Sequence, residues 1–120
     1  MAINVKSGFD STRIFPVILD KIPVGITVTD LEGHILYYNE YCSKILERKP
    51  EYIGKDIRLC HEKSESKSKI DHMLEEFKRG RREAFVYDTI RYGNQITVTL
   101  TPVEIEGKLV CCVQSVTIKS

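Results

Sequence analysis

Residues 23–39 read Pro-Val-Gly-Ile-Thr-Val-Thr-Asp-Leu-Glu-Gly-His-Ile-Leu-Tyr-Tyr-Asn, two short strand patterns joined by turn chemistry and closed by a helix cap. Ile26 and Val28 alternate with Thr27 and Thr29, Asp30 to Gly33 supplies the turn, and Ile35 to Tyr38 resumes the β-branched and aromatic composition. Asn39 then stands before Cys42, Ile45 and Leu46, which fall at helical spacing. Lys49-Pro50 closes that helix, because the residue before a proline is pushed out of the α region.

Working outward, residues 1–10 are polar and irregular and predict a flexible arm. A cap at Ser11 or Thr12 opens a helix whose Ile14, Phe15, Ile18, Leu19 and Ile22 form one apolar stripe, and Pro23 ends it. Such a stripe packs either on its own sheet or on the same helix of a second subunit. On the other side, Glu51 to Gly54 reads as a single turn. Ser64 to Lys69 alternates serine with charge and is expected to be exposed. Ser68 and Asp71 predict a capping-box start for a helix with Ile70, Met73, Leu74 and Phe77 on its apolar face and Gly80 at its end. Three strands follow, Glu83 to Arg91, Gln95 to Val103 and Leu109 to Ile118, with turns at Tyr92-Gly93-Asn94 and around Gly107.

A chain of 120 residues with 42% hydrophobic content fits one domain with a single core. Its 18 basic and 17 acidic residues are interspersed and give a net charge of +1, so no field favours nucleic acid or an anionic membrane. The cluster Lys78, Arg79, Arg81 and Arg82 is broken by Gly80 and reads as a solvated helix end. The longest apolar run, Leu109 to Val113, is far too short to span a bilayer, which predicts a soluble, cytoplasmic chain. Cys111 and Cys112 are neighbours in a strand and should face opposite ways, so reduced thiols are expected.

The order of helix, two strands, short helices, a longer helix and three strands, with Asn39 and Tyr52-Ile53-Gly54-Lys55 in register, resembles a PAS domain over residues 11–120. That resemblance implies an α+β fold, a five-stranded antiparallel sheet with helices on one face and an N-terminal amphipathic helix. It implies sensing rather than catalysis, a homodimer through the N-terminal helix, and an effector such as a kinase or transcription regulator in the same or another chain. A haem-based gas or redox sensor and a ligand-free dimerisation module are the alternatives. Gly54-Lys55-Asp56-Ile57-Arg58-Leu59-Cys60-His61, followed by serines and Glu76 to Gly80, is similar to PAS domains that accompany hemerythrin-like domains, with Glu62 where those carry Pro.

The candidate chemistry is sparse. Cys60-His61 has no third partner at metal-ligand spacing, so a small buried thiol and a surface imidazole are the plain reading. In the family, haem iron is held by a His on the long helix. Matching Phe77 to the family's aromatic residue puts Ile70 at that position and leaves His72 on the polar face with Glu75, Glu76 and Arg79. His61 and His72 are thus weak haem candidates, and haem is not favoured. The thiol motif of light-sensing, flavin-binding members is also absent, since Asp56-Ile57-Arg58-Leu59-Cys60 stands in its place. No phosphate loop, nucleophile elbow or kinase signature suggests an enzyme. Gln114 shares its parity with Val110, Cys112, Val116 and Ile118 and should point inward, where an unpaired amide would cost about 1–3 kcal/mol. Its partner is a neighbouring side chain, a water or a ligand. The resemblance implies that a ligand sits between the sheet and the long helix, lined by Ile70, Met73, Leu74, Phe77, Val98, Leu100, Cys112 and Gln114. That lining suits a small, largely apolar or weakly polar molecule more than a multiply charged acid.

Overall fold

The computed structural model describes residues 5–60 and 64–119. Helix α1 (Ser11–Lys21) precedes strands β1 (Gly25–Thr29) and β2 (Ile35–Tyr38), helix α2 (Glu40–Ile45), single 3-10 turns at Pro50–Tyr52 and Ile57–Cys60, and helix α3 (Ser64–Lys78). Strands β3 (Phe85–Arg91), β4 (Asn94–Ile105) and β5 (Lys108–Ile118) complete the chain. All strand pairs are antiparallel and the sheet runs β2-β1-β5-β4-β3, so the last strand lies in its middle. The expected α+β fold, a five-stranded antiparallel sheet with helices, is the one observed.

Both late hairpins close more tightly than their sequences suggest. Tyr92-Gly93 and Glu106-Gly107 are two-residue turns with positive φ at both positions (51° and 79°, 52° and 78°), the geometry whose twist matches that of the flanking strands. The first hairpin is held by Asp30, whose Oδ1 accepts from the amides of Glu32 and His34 at 2.9 Å each. Tyr52-Ile53-Gly54-Lys55 then runs back beside β2, with Ile35 N donating to Lys55 O and Gly54 N to Ile35 O.

Three helix boundaries differ from expectation. Asp10, not Ser11 or Thr12, caps α1 by accepting from Arg13 N. Helix α2 stops at Ile45 rather than at Lys49, because Leu46 is already extended at φ −127°, ψ 162°. Helix α3 begins at Ser64, ahead of the Ser68 cap, and the carboxylate of Asp71 pairs with Arg58 instead of turning back to Ser68. Serine is only mildly unfavourable inside a helix, so the Ser-Lys alternation did not stop it.

The helices cover one face of the sheet. Ile70, Met73, Leu74 and Phe77 of α3 pack with Ile35, Ile57, Leu100 and Cys112, each side chain contributing about 1.5–3 kcal/mol by burial. A second cluster joins Cys42 and Ile45 of α2 and Leu46 to Ile96, Val98 and Val116. Here α2 lies so close to β1 that a Cβ on Gly25 would meet Ile45 Cδ1 at 3.1 Å and Cys42 Cα at 3.2 Å. Helix α1 buries no residue, and its Ile14, Phe15, Val17 and Ile18 remain exposed. It is attached through Asn39, whose side-chain amide donates to the carbonyls of Leu19 and Val24 and whose Oδ1 accepts from Ile26 N and Cys42 N.

Candidate functional site

Between the two apolar clusters lies a layer of buried polar side chains. It is built by the extended segment after α2, where Leu46 and Arg48 point inward while Glu47 and Lys49 point out. Outside, Glu47 pairs with Lys49 at 3.3 Å and accepts from the hydroxyls of Tyr52 and Tyr92, bonds that hold its carboxyl below the usual carboxylate range. These outer contacts fix the segment's register, and period-two geometry then delivers Arg48 to the interior.

Arg48 is only 6% exposed. Its Nε donates to Thr27 Oγ1 at 3.3 Å, Nη1 to Glu47 O at 3.0 Å and Nη2 to Gln114 Oε1 at 3.1 Å. Thr27 Oγ1 also lies 3.3 Å from Cys42 Sγ. All the acceptors are neutral, and no carboxylate among the described residues is paired with this guanidinium. Arg58 offers the contrast. It is partly exposed, engages both Asp56 and Asp71, and also donates to Glu32 O at 2.6 Å.

Sequence reasoning placed Gln114 on the inner face, where it is buried, but did not identify Arg48 as its partner. The signal was the in-out alternation from Leu46 to Lys49, which a helical reading of the same residues conceals. Of the eight expected lining residues, Ile70, Met73, Leu74, Phe77, Leu100 and Cys112 sit together in the α3 cluster, Val98 lies in the α2 cluster, and Gln114 stands between them. Burial pushes the Cys112 thiol up to about 11, while its neighbour Cys111 faces the other way and is partly exposed.

Cys60-His61 falls outside the residues whose side chains are described. His72 is exposed on α3, its ring edge-on to Phe85 with centroids 6.1 Å apart. Among the described residues no three His, Cys, Asp or Glu side chains converge as a metal-binding set. The basic cluster after α3 is consumed locally: Arg82 pairs with Glu104 and donates to Phe77 O, and Arg81 stacks on the Phe85 ring at 3.7 Å.

A recess of about 60 Å³ opens into the α2 cluster, lined by Leu46, Lys69, Tyr87, Thr89, Arg91, Ile96 and Val98. Lys69 Nζ lies 3.7 Å over the Tyr87 ring at its rim. Of the expected lining, only Val98 borders it, because the α3 side chains fill the space beside them. A larger depression of about 540 Å³ on the β3–β4 side is shallow, and its Asp88 and Lys119 are paired with each other at 2.9 Å.

A five-stranded antiparallel sheet ordered β2-β1-β5-β4-β3, with helices and a buried polar layer packed on one face, is an α+β domain. The model of the PAS domain family matches residues 16–110, and the chain belongs to that family. It is similar in structure to a C-terminal domain from Streptococcus mutans (TM-score 0.77, 21% identity, covering 97% of this chain and 90% of that one). The PAS domain of BvgS from Bordetella pertussis matches with a TM-score of 0.72 at 18% identity, covering 93% and 88%. The PAS domain of the quorum-sensing receptor RpfR from Cronobacter turicensis, in complex with BDSF, matches at 0.64 and 16%, covering 83% and 97%. No curated protein sequence matches the chain. No helix among the described residues is long and apolar enough to cross a membrane.

Proposed function

We propose that this chain is a sensory PAS domain that takes a small ligand on the inner face of its sheet, works as a homodimer through α1, and passes its state to an effector in the same or another chain. The observation that carries the ligand reading is the buried polar layer of Arg48, Thr27 and Gln114. A core built only for stability avoids burying a guanidinium, because the desolvation penalty of a charge is several kcal/mol. The sensory function of the structurally similar RpfR domain, and its complex with BDSF, support the same reading. The dimer reading rests on α1, none of whose residues is buried and whose Ile14, Phe15 and Ile18 are exposed. Unpaired Cys42, Cys111 and Cys112 suit a reducing compartment such as the cytoplasm.

A second reading, a ligand-free dimerisation module, is favoured by the tight filling of the α3 cluster, where Phe77 is fully buried and Met73 nearly so. Native mass spectrometry of the purified chain together with a thermal-shift screen of small amphiphiles separates the two. A sensor shows a retained ligand or a set of stabilisers weakened by Gln114→Leu. A dimer mass with no retained ligand and no stabiliser would establish the second reading instead.

A further inference from the structure

Resting on the ligand reading above, we infer that Arg48 is the receptor for an anionic head group, and that the ligand is a monocarboxylate with a short apolar body. Three observations converge. First, Arg48 is a buried cation whose protein partners are all neutral, so its charge is uncompensated in the interior. Second, a guanidinium carries five N–H donors, and the hydrogen bonds to Thr27, Glu47 and Gln114 use three of them. The remaining two, one on each terminal nitrogen, have no acceptor among the described residues, and a carboxylate takes two such bonds in parallel. Third, the described residues that line the recess entering this region include Lys69, and none of them is acidic.

The recess and the guanidinium are neighbours by strand and sheet geometry. Val98 pairs directly with Val116, which makes Gln114 its diagonal neighbour on the same face, about 7–8 Å away. Leu46 lines the recess and lies two residues before Arg48 on an extended segment, about 7 Å along the chain with its side chain on the same side. An anion on Arg48 would therefore place its apolar part against Leu46, Ile96 and Val98. One charge is the limit: among the described residues Arg48 is the buried cation, and a second negative group buried beside it would have no cation of its own.

The test is calorimetric titration of the full chain with hexanoate, hexanamide and 1-hexanol, which share a tail and differ in head group. The expected result is hexanoate at least tenfold tighter than hexanamide in the wild type. In Arg48→Met that preference disappears, while 1-hexanol binds as before. Gln114→Glu supplies Arg48 with an internal carboxylate and gives the same loss without removing the arginine, so the test survives if Arg48→Met fails to fold. If the neutral compounds bind and hexanoate shows no preference, or if the preference persists in both variants, the role of Arg48 is overturned and the pocket stands. If none of the three binds, the role of Arg48 and the ligand reading fall together.

Discussion

Thr27 and Gln114 stand directly opposite each other in the ladder of β1 and β5, and each presents an oxygen to the same guanidinium. The pair acts as a two-sided holder that keeps a cation inside the domain without neutralising it. Gln114→Leu should therefore destabilise the protein by about 1–3 kcal/mol, since it strips a buried charge of an acceptor. Adding Arg48→Met to it should restore stability to the wild-type level or above, because the charge itself is gone. Urea denaturation of the wild type and the two variants measures this. A double variant weaker than Gln114→Leu alone would contradict it.

Asn39 is fully buried and makes hydrogen bonds to four backbone groups, in α1, in the link to β1, in β1 and in α2. Replacing it with Ala removes a helix cap worth about 1 kcal/mol and leaves several buried groups unpaired. The expected loss is about 3 kcal/mol, accompanied by faster amide exchange throughout α1. Exchange in α1 that matches the wild type would show that the helix is held by something else.

Ile18→Asp places a charge in the exposed apolar stripe of α1, outside the buried core. If the stripe is a subunit contact, light scattering will give the mass of a dimer for the wild type and of a monomer for the variant, with the same melting behaviour at low concentration. A wild type that remains monomeric at high micromolar concentration removes the basis for the dimer.

The Arg58 contacts make acid stability partly predictable. Side-chain hydrogen bonds from Arg58 hold the Asp56 carboxyl below its ordinary value, outweighing its partial burial. A depressed carboxylate contributes stability that is complete above its unfolded-state value, roughly 4, and is lost as pH falls through the folded-state value. Asp56→Asn should thus be less stable than the wild type at neutral pH, with the gap closing below about pH 4. Denaturation midpoints across that range provide the check, and a gap independent of pH would rule out this linkage.

The strands were legible because two signals coincide in them: side chains alternate with period two, and Asp30, Gly93 and Gly107 mark the reversals with chemistry that few other conformations need. Asn39 and Gln114 were legible for similar reasons, one as a cap before a helix and the other as a polar residue on an inward parity. Arg48 was not. An isolated arginine is expected at the surface, and what draws this one inside is a partner 66 residues away that becomes adjacent only when β5 inserts beside β1. The start of α3 was missed for the opposite reason: serines and lysines tolerate a helix without announcing one, and the pairing of Asp71 with Arg58 is a tertiary event.

The carbonyl oxygen of Ile26 accepts from the backbone amide of Asn39, the residue that fastens α1, and the same peptide ends at Thr27, which receives Arg48. One peptide unit of β1 thus serves both the interior and the outer helix. A rigid peptide cannot be pulled at one end and stay still at the other. Any repositioning of the buried guanidinium that tugs on Thr27 is transmitted to the mount of α1 with almost no intervening chain to absorb it, and the domain needs no relay of side chains to make its inside felt on its outside.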